Sequence, residues 1–220
     1  RAKLLASVLG ILGVVIAQPK MGVLDTGVDM NHPAISSALL AAKEQNPSGD
    51  GKDDNGHGTW TQGTIGLHAP YAKKSVTSYK AFVNGRGSTE GLLWAMVESE
   101  KDGNIATSNS WGSNAGNPED PTSEMAIALA KKGMVQFYAA GNNGYSGRNT
   151  IGSPSITHYK NRLIAVAATD ADKKVSRFSS KGKGSRVTSR DTEKYPDYPV
   201  RPDIAGIGQD IEGPWPTWTN

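Results

Sequence analysis

Short apolar runs alternate with longer amphipathic stretches along most of this 220-residue chain, and this alternation limits the fold more than any other feature. A repeated strand–helix–strand order favours a parallel sheet covered by helices, because parallel neighbours need long crossover connections. The chain is therefore predicted to be an α/β protein. The predicted strands are Met21 to Leu24, Ser75 to Val83, Ile105 to Ser108, Met134 to Ala140 and Leu163 to Ala168, and the predicted helices are Thr89 to Glu100 and Pro121 to Lys132.

Polar residues come soon after several of these apolar runs, namely Asp25, Asn109, Asn142 and Asp170. The carboxyl ends of parallel strands meet at one edge of a sheet, and α/β folds place their ligand sites there. We therefore expect the functional site at this edge.

The composition excludes some classes of function. The chain carries 24 basic and 21 acidic residues, and its single dense basic stretch, 181–190, is rich in Gly and Ser, so we expect a solvated loop and no nucleic-acid partner. The absence of cysteine excludes thiol catalysis, thiolate metal sites and disulfides. The length and the lack of a visible linker predict a single domain, 1–220.

The amino-terminal stretch from Leu4 to Ala17 is strongly apolar and follows two basic residues. It is shorter than the roughly 20 residues of a membrane span, so no membrane partner is expected. We interpret it as an ordered, buried segment, and the alternative is a targeting segment.

Asp25 belongs to an Asp-Thr-Gly motif at the end of a predicted strand, where a carboxylate is held rigidly. The same motif is the signature of aspartic proteases. Those enzymes need a paired aspartate, and no second Asp-Thr-Gly occurs in this sequence. The chain is also too helical for a small all-β half-site, so this alternative is disfavoured.

His57 lies between two glycines at a predicted helix start, 32 residues after Asp25. Flanking glycines predict that the ring is exposed to a site. The motif alone is also compatible with a structural histidine that packs within the fold.

A set of motifs in fixed order connects these residues to a known family. The main segments are Asp25-Thr26-Gly27, His57-Gly58-Thr59 and Ala139-Ala140-Gly141-Asn142, and further matches are Asn109-Ser110-Trp111-Gly112, Ala165 to Asp170, Phe178-Ser179-Ser180 and Arg201-Pro202-Asp203-Ile204. The ordered set resembles the subtilisin-like serine proteases, the subtilase superfamily. The Asn-Ser-Trp-Gly and Lys80-Ala81-Phe82 segments most resemble the bacillopeptidase F branch.

The resemblance implies a three-layer α/β fold with a mostly parallel, seven-stranded sheet flanked by helices. It also implies a secreted serine endopeptidase that cleaves peptide bonds by acyl transfer and needs no cofactor for catalysis. Asp25 would orient His57, His57 would move the proton of the nucleophile, and Asn142 would donate its amide to the oxyanion.

The resemblance further implies that an extended polypeptide substrate pairs with two exposed backbone segments as an added strand. One segment contains Gly85 and Gly87, and the other contains Ser110, Trp111 and Gly112. The residues Ala139, Ala140 and Gly141 would line the first specificity pocket opposite Ser110 to Gly112.

The segment from Gln45 to Asn55 is rich in Asp, Gly and Asn and is predicted to be a loop. Its carboxylates at Asp50, Asp53 and Asp54 are oxygen ligands of the kind that Ca²⁺ prefers. They are therefore candidate ligands for a structural Ca²⁺, although solvated loops have the same composition.

The nucleophile is the main departure from the family pattern. No Gly-Thr-Ser-Met-Ala block, which carries the nucleophilic serine in the family, occurs in the 220 residues. We expect the serine beyond residue 220, on a continuation of the domain, a second chain or a carboxyl-terminal fragment, so that the 220 residues alone are inactive. The alternative is a catalytically dead module that binds peptides.

Overall fold

The computed structural model describes residues 18–36, 39–46, 49–69, 74–184 and 200–219. The apolar segment Leu4 to Ala17 and most of the basic stretch 181–190 lie outside the described residues. Within the described ranges, no helix is long and apolar enough to cross a membrane.

The strands are β1 (Met21–Asp25), β2 (Leu39–Glu44), β3 (Val76–Lys80), β4 (Phe82–Val83), β5 (Arg86–Gly87), β6 (Ala106–Asn109), β7 (Val135–Ala139), β8 (Leu163–Thr169) and β9 (Ile204–Ile207). The helices are α1 (Pro33–Ser36), α2 (His57–His68), α3 (Thr89–Lys101) and α4 (Pro121–Lys131). Short 3₁₀ turns occur at Gly144–Ser146 and Thr217–Thr219.

Seven of these strands form one sheet in the order β2-β3-β1-β6-β7-β8-β9, and every neighbouring pair is parallel. The predicted α/β class and the seven-stranded parallel sheet are thus confirmed. β1 lies inside the sheet, with β3 on one side and β6 on the other. The strands that follow β1 in the sequence are therefore found on both sides of it. The carboxyl end of β1 is therefore the position where such sheets bind ligands.

Alternate side chains of β1 show which helices cover each face of the sheet. Val23 packs with Val76 and with Ile65 of α2. Leu24, the next residue, belongs to the large core cluster that also contains Met96 of α3 and Leu129 of α4. Because successive side chains of a strand point to opposite faces, α2 covers one face and α3 and α4 cover the other. This is the three-layer arrangement.

The helices α3 and α4 begin at residues that cap them. The Ser88 hydroxyl accepts a hydrogen bond from the Gly91 N–H, and the Asp120 carboxylate accepts one from the Ser123 N–H. Such caps satisfy backbone donors that have no partner inside the helix. The predicted bounds of both helices agree with the structure to within one residue.

The predicted strand Ser75 to Val83 is divided in the structure. β3 ends at Lys80, and β4 pairs with β5 as an antiparallel hairpin. Its two-residue turn, Asn84 and Gly85, has φ angles of 50° and 71°. A turn with positive φ at both central positions suits a tight hairpin, and this turn redirects the chain away from the sheet.

Two outer strands were not predicted from the sequence, β2 and β9. Only Leu39 of β2 is buried, and all four residues of β9 are exposed. Both strands contain apolar residues, but these runs are short, and a short apolar run does not by itself distinguish a strand from other structure.

Candidate active site

Asp25 and His57 form a hydrogen-bonded pair at the carboxyl end of β1. The Asp25 side chain is buried, and its Oδ1 lies 2.6 Å from Nδ1 of His57. The same Oδ1 accepts the Thr26 N–H at 2.8 Å. His57 is the first residue of α2, and 48% of its side chain is exposed. A buried carboxylate thus holds one nitrogen of an imidazole that solvent and substrate can reach.

This contact changes the acid–base properties of His57. The hydrogen bond to Asp25 raises the pKa of His57 above its ordinary value of 6.5, while burial acts in the opposite direction. The negative charges of Asp25 and Asp53 raise the pKa of His57 further. Both carboxylates therefore stabilise the imidazolium, the form that His57 has after it accepts a proton.

Gly27 and Gly58 allow the backbone after β1 to contact the backbone at the start of α2 directly. Gly27 has a φ of 104°, a conformation that L side chains rarely adopt. A Cβ on Gly58 would lie 2.1 Å from the Gly27 carbonyl oxygen. Any side chain at Gly58 would therefore push the start of α2 away from β1 and separate His57 from Asp25.

Asn142 lies in the loop after β7 and lines the same cavity as His57. This cavity of about 360 Å³ is also lined by Ser110 and Ala139. The loop is held by Ser180, whose N–H donates to the Gly141 carbonyl at 2.9 Å and whose hydroxyl accepts the Asn143 N–H at 3.0 Å. The structure therefore brings together a base, an exposed amide and two predicted substrate-binding residues.

A second cavity, of about 410 Å³, is lined by Gly87, Trp111 and Gly112 together with Asp120. Trp111 is 8% exposed, and its ring meets Tyr138 edge to face at 5.5 Å between ring centroids. Trp111 therefore contributes mainly by packing beneath the cavity.

Three of the predicted substrate-binding residues, Gly85, Ala140 and Gly141, do not line these cavities. The Ala140 side chain is 1% exposed and packs with Ile151 and Ile156, so it belongs to the core. Gly85 lies in the exposed β4–β5 turn, where a Cβ would come within 2.8 Å of the Asn55 side chain. Gly141, with a φ of 115°, forms the turn that leads to Asn142.

The three aspartates predicted to bind calcium have other partners. The Asp54 carboxylate pairs with Lys80 at 2.9 Å, and the Asp50 carboxylate accepts the Lys52 N–H at 2.8 Å. The carboxylate of Asp53 is surrounded by N–H and O–H donors. Among the described residues, no group of three His, Cys, Asp or Glu could hold a metal ion. Hydrogen-bond donors thus occupy both Asp53 oxygens, and the calcium site at Asp50, Asp53 and Asp54 stays a prediction.

The site also contains residues that the sequence interpretation did not assign to it. Thr26 and Asp53 connect the end of β1 to the start of α2. Lys80, whose side chain is 8% exposed, donates from Nζ to the carbonyls of Thr26 and Lys52. Asp53 lies four residues before His57, and this spacing could have indicated that it belongs to the site. Its acidic neighbours Asp50 and Asp54 favoured a metal-binding interpretation instead.

Comparison with known proteins places this architecture in a family. Residues 17–219 match the Subtilase family. The chain is 30% identical over 181 residues to the "Major intracellular serine protease" of Bacillus subtilis (strain 168), an alignment that covers 74% of this chain and 55% of that protein. It is 27% identical over 227 residues to subtilisin DY of Bacillus licheniformis, covering 91% of this chain and 79% of that protein. The chain thus spans little more than half of the Bacillus subtilis relative.

Solved structures of similar proteins have the same fold. "Prenylagaramide maturation protease PagA" superimposes with a TM-score of 0.65 at 23% identity, covering 90% of this chain and 66% of that one. A lanthipeptide protease superimposes with a TM-score of 0.61 at 23% identity, covering 74% of this chain and 52% of that one. The family match extends over nearly the whole described sequence and includes Asp25, His57 and Asn142, so the chain belongs to the subtilase family.

Proposed function

We propose that this chain is the greater part of a serine endopeptidase domain that cleaves extended polypeptides by acyl transfer. The observation that carries the proposal is the 2.6 Å contact between Asp25 and His57. The ring of His57 shares a cavity with the side chain of Asn142. An oriented base beside an amide donor is the arrangement that acyl transfer to a serine requires.

In this mechanism His57 removes the proton of the nucleophile and then delivers it to the leaving amine. Because Nδ1 of His57 donates to Asp25, the other ring nitrogen is left free to act as the base. Asn142 donates its side-chain amide to the oxyanion that forms on the substrate carbonyl. The Asp25 carboxylate stabilises His57 while the ring carries the extra proton.

The nucleophile of the proposed mechanism is a serine outside the 220 residues, because these contain no Gly-Thr-Ser-Met-Ala block. The serine belongs to a continuation of the same domain, or to a separate chain or fragment that completes the site. Membership of the bacillopeptidase F branch and secretion are parts of the same proposal, and they rest on the Asn109-Ser110-Trp111-Gly112 motif and on the family.

The substrate is proposed to bind as an extended strand along the exposed backbone of the β4–β5 hairpin and of the segment after β6. The exposed positions Gly87 and Gly112 line one cavity, while Ser110 and Ala139 line the other. Two neighbouring cavities along such an edge can each accept a substrate side chain, which gives sequence preference beyond the scissile bond.

The direct test is hydrolysis of an unfolded protein by the full gene product, with the fragments identified by mass spectrometry. We expect internal cleavage that is lost in His57→Ala. A full gene product that binds unfolded polypeptide but leaves it uncut would contradict the proposal and support the peptide-binding alternative, which the missing Gly-Thr-Ser block favours.

A further inference from the structure

Asp53 is a buried carboxylate with hydrogen-bond donors on both of its oxygens. The residue is 1% exposed. Its Oδ1 accepts the Thr26 hydroxyl at 2.8 Å and the N–H groups of Asn55 at 3.0 Å and Gly56 at 2.9 Å. Its Oδ2 accepts the N–H of Thr59 at 2.8 Å and the hydroxyl of Thr59 at 2.6 Å. A carboxylate with five such bonds is fixed in position.

These donors include the amino end of the helix that carries His57. The first N–H groups of a helix have no partner within it and need acceptors from elsewhere. Gly56, the residue before α2, has no side chain that could cap the helix. Instead, the Thr59 N–H donates to Asp53, and the Gly58 N–H donates to the Thr26 hydroxyl oxygen at 2.8 Å.

The same network reaches the end of the strand that carries Asp25. Thr26 directly follows Asp25, and its hydroxyl donates to Asp53 while it accepts from Gly58. Asp25 and His57 are therefore each next to a residue of one hydrogen-bonded network. A movement of α2 relative to β1 would therefore break these buried hydrogen bonds.

We propose that Asp53 is a positioning residue, whose carboxylate joins the start of α2 to the end of β1 and so sets the hydrogen bond between His57 Nδ1 and Asp25 Oδ1. The consequence of Asp53 for catalysis rests on the proposed function, whereas the effect of Asp53 on the His57 ring does not. The residue does not touch the reacting atoms, and it acts through Thr26, Gly58 and Thr59.

The charge of Asp53 suits this role. Burial would raise the pKa of Asp53, but the hydrogen bonds from the Thr59 hydroxyl and from the N–H groups of Gly56, Asn55 and Thr59 outweigh burial and keep this pKa below its ordinary value. Asp53 therefore stays ionised wherever His57 titrates. A negative charge at a helix amino terminus is stabilising, and it also favours the protonated form of the nearby ring.

The test is Asp53→Asn in the full gene product, observed by ¹⁵N NMR of the His57 ring. The amide has nearly the same shape, but it places N–H groups where the carboxylate accepted bonds. We expect the downfield Nδ1 proton to weaken or disappear, and His57 to titrate at a lower pH than in the wild type. The thermal stability of the same sample is measured in parallel.

Asp102→Asn is the matched control. Asp102 also accepts two side-chain bonds, from Lys43 at 2.7 Å and from the Tyr79 hydroxyl at 2.6 Å. It lies beside Lys20, at the edge of the sheet opposite Asp25. Asp102→Asn is expected to lower stability without changing the His57 signals. Unchanged His57 signals in folded Asp53→Asn would overturn the proposal.

A second pair of variants decides the question if Asp53→Asn does not fold. Thr26→Val removes the hydroxyl that joins Asp53 to Gly58, whereas Thr26→Ser retains it. We expect Thr26→Val to change the His57 signals and Thr26→Ser to preserve them. Wild-type signals in Thr26→Val would contradict the proposed role of the network.

The kinetic arm uses the full gene product. A misplaced catalytic group costs about 10²-fold in rate, so Asp53→Asn is expected to lower kcat to that extent and to leave KM nearly unchanged. An increase in KM alone would contradict a positioning role. If the wild-type gene product cleaves nothing, the proposed function fails, while the NMR result still decides whether Asp53 positions His57.

Discussion

Nδ1 of His57 and Oδ1 of Asp25 lie 2.6 Å apart, although the two residues are separated by 32 positions in the sequence. A short contact between a buried carboxylate and a half-exposed imidazole favours the imidazolium. The pH at which His57 loses its proton should therefore depend on Asp25.

We expect Asp25→Asn to lower the pKa of His57, which the Asp25 hydrogen bond raises above 6.5 in the wild type. A raised pKa in the folded state means that protonation of His57 stabilises the fold below about pH 6.5, and that this stabilisation is lost as the pH rises through the folded-state pKa. NMR titration of the His57 ring measures the change. An identical titration curve in the variant would contradict the assigned contact.

Replacement of Asn142 by Ala is expected to affect turnover more than binding. The exposed side chain lines the cavity that contains His57, and it is assigned to the oxyanion, which exists only during the reaction. Loss of one such donor lowers kcat by about 10²–10³-fold, a magnitude that comes from subtilisin itself. Steady-state kinetics of the full gene product test this, and a variant with wild-type kcat would remove Asn142 from the mechanism.

Lys80→Met is expected to destabilise the fold. The Lys80 Nζ is nearly buried and contacts the carbonyls of Thr26 and Lys52 as well as the Asp54 carboxylate at 2.9 Å. Loss of one partner of such a pair costs about 3 kcal/mol, because the remaining acceptors are left without a charge partner. The free energy of unfolding in urea measures the loss.

The matched control for this prediction is Lys101→Met. Lys101 pairs with Glu98 at 2.7 Å, but 61% of its side chain is exposed. Exposed pairs of this kind contribute little to stability because solvent screens them, so Lys101→Met is expected to lose much less than Lys80→Met. Equal losses in the two variants would show that burial of Lys80 is not what makes its pair important.

The segment 213–218 is expected to detach when Asp29 is replaced by Asn. Oδ2 of Asp29 accepts the N–H of Thr217 at 2.8 Å and its hydroxyl at 2.7 Å. Pro214 and Trp215 of this segment lie against α2, where a Cβ on Gly63 or Gly56 would collide with them. Limited proteolysis should therefore cut Asp29→Asn within the segment sooner than the wild type.

Asp170→Asn is a control that removes a carboxylate acceptor elsewhere. In the wild type, the Asp170 carboxylate accepts only the Lys174 N–H, at 2.9 Å, among the described bonds. The Asp170→Asn variant is expected to leave cleavage of the segment unchanged. Equal protection of wild type and Asp29→Asn would show that Trp215 and Pro214 hold the segment without Asp29.

The attachment of this segment is also expected to weaken in acid. Burial would raise the pKa of Asp29, but the hydrogen bonds from Thr217 and Asn31, together with the charge of His32, keep this pKa below 3.8. A lowered folded-state pKa stabilises the fold above about pH 3.8, and the stabilisation is lost as the pH falls through the folded-state value. Proteolysis of the wild type by an acid-active protease over a pH series measures this, and a pH-independent rate would contradict it.

The central part of the fold could be predicted from the sequence because its signals are local. The apolar runs at β1, β6, β7 and β8 indicate strands that are buried in the sheet, and the spacing of α3 and α4 matches helices with one apolar face. β2 and β9 were not predicted in this way, because their apolar runs are short and do not by themselves indicate a strand.

The site was predictable only in part for a similar reason. The motifs at Asp25 and His57 identified the pair, and the structure brings the two side chains together. An acidic, glycine-rich loop has the same composition whether its carboxylates bind a metal or accept backbone N–H groups. The role of Asp53 depends on where α2 begins relative to β1, which is a tertiary relationship that the local sequence does not contain.

The central claim, that Asp25 and His57 activate a serine, is tested most directly by the rate at which a fluorophosphonate probe labels the full gene product. We predict labelling of a single serine in the wild type, loss of labelling in His57→Ala, and normal labelling in His68→Ala, which replaces an exposed histidine at the other end of α2. Equal labelling of wild type and His57→Ala, or no labelling of the wild type, would contradict the account.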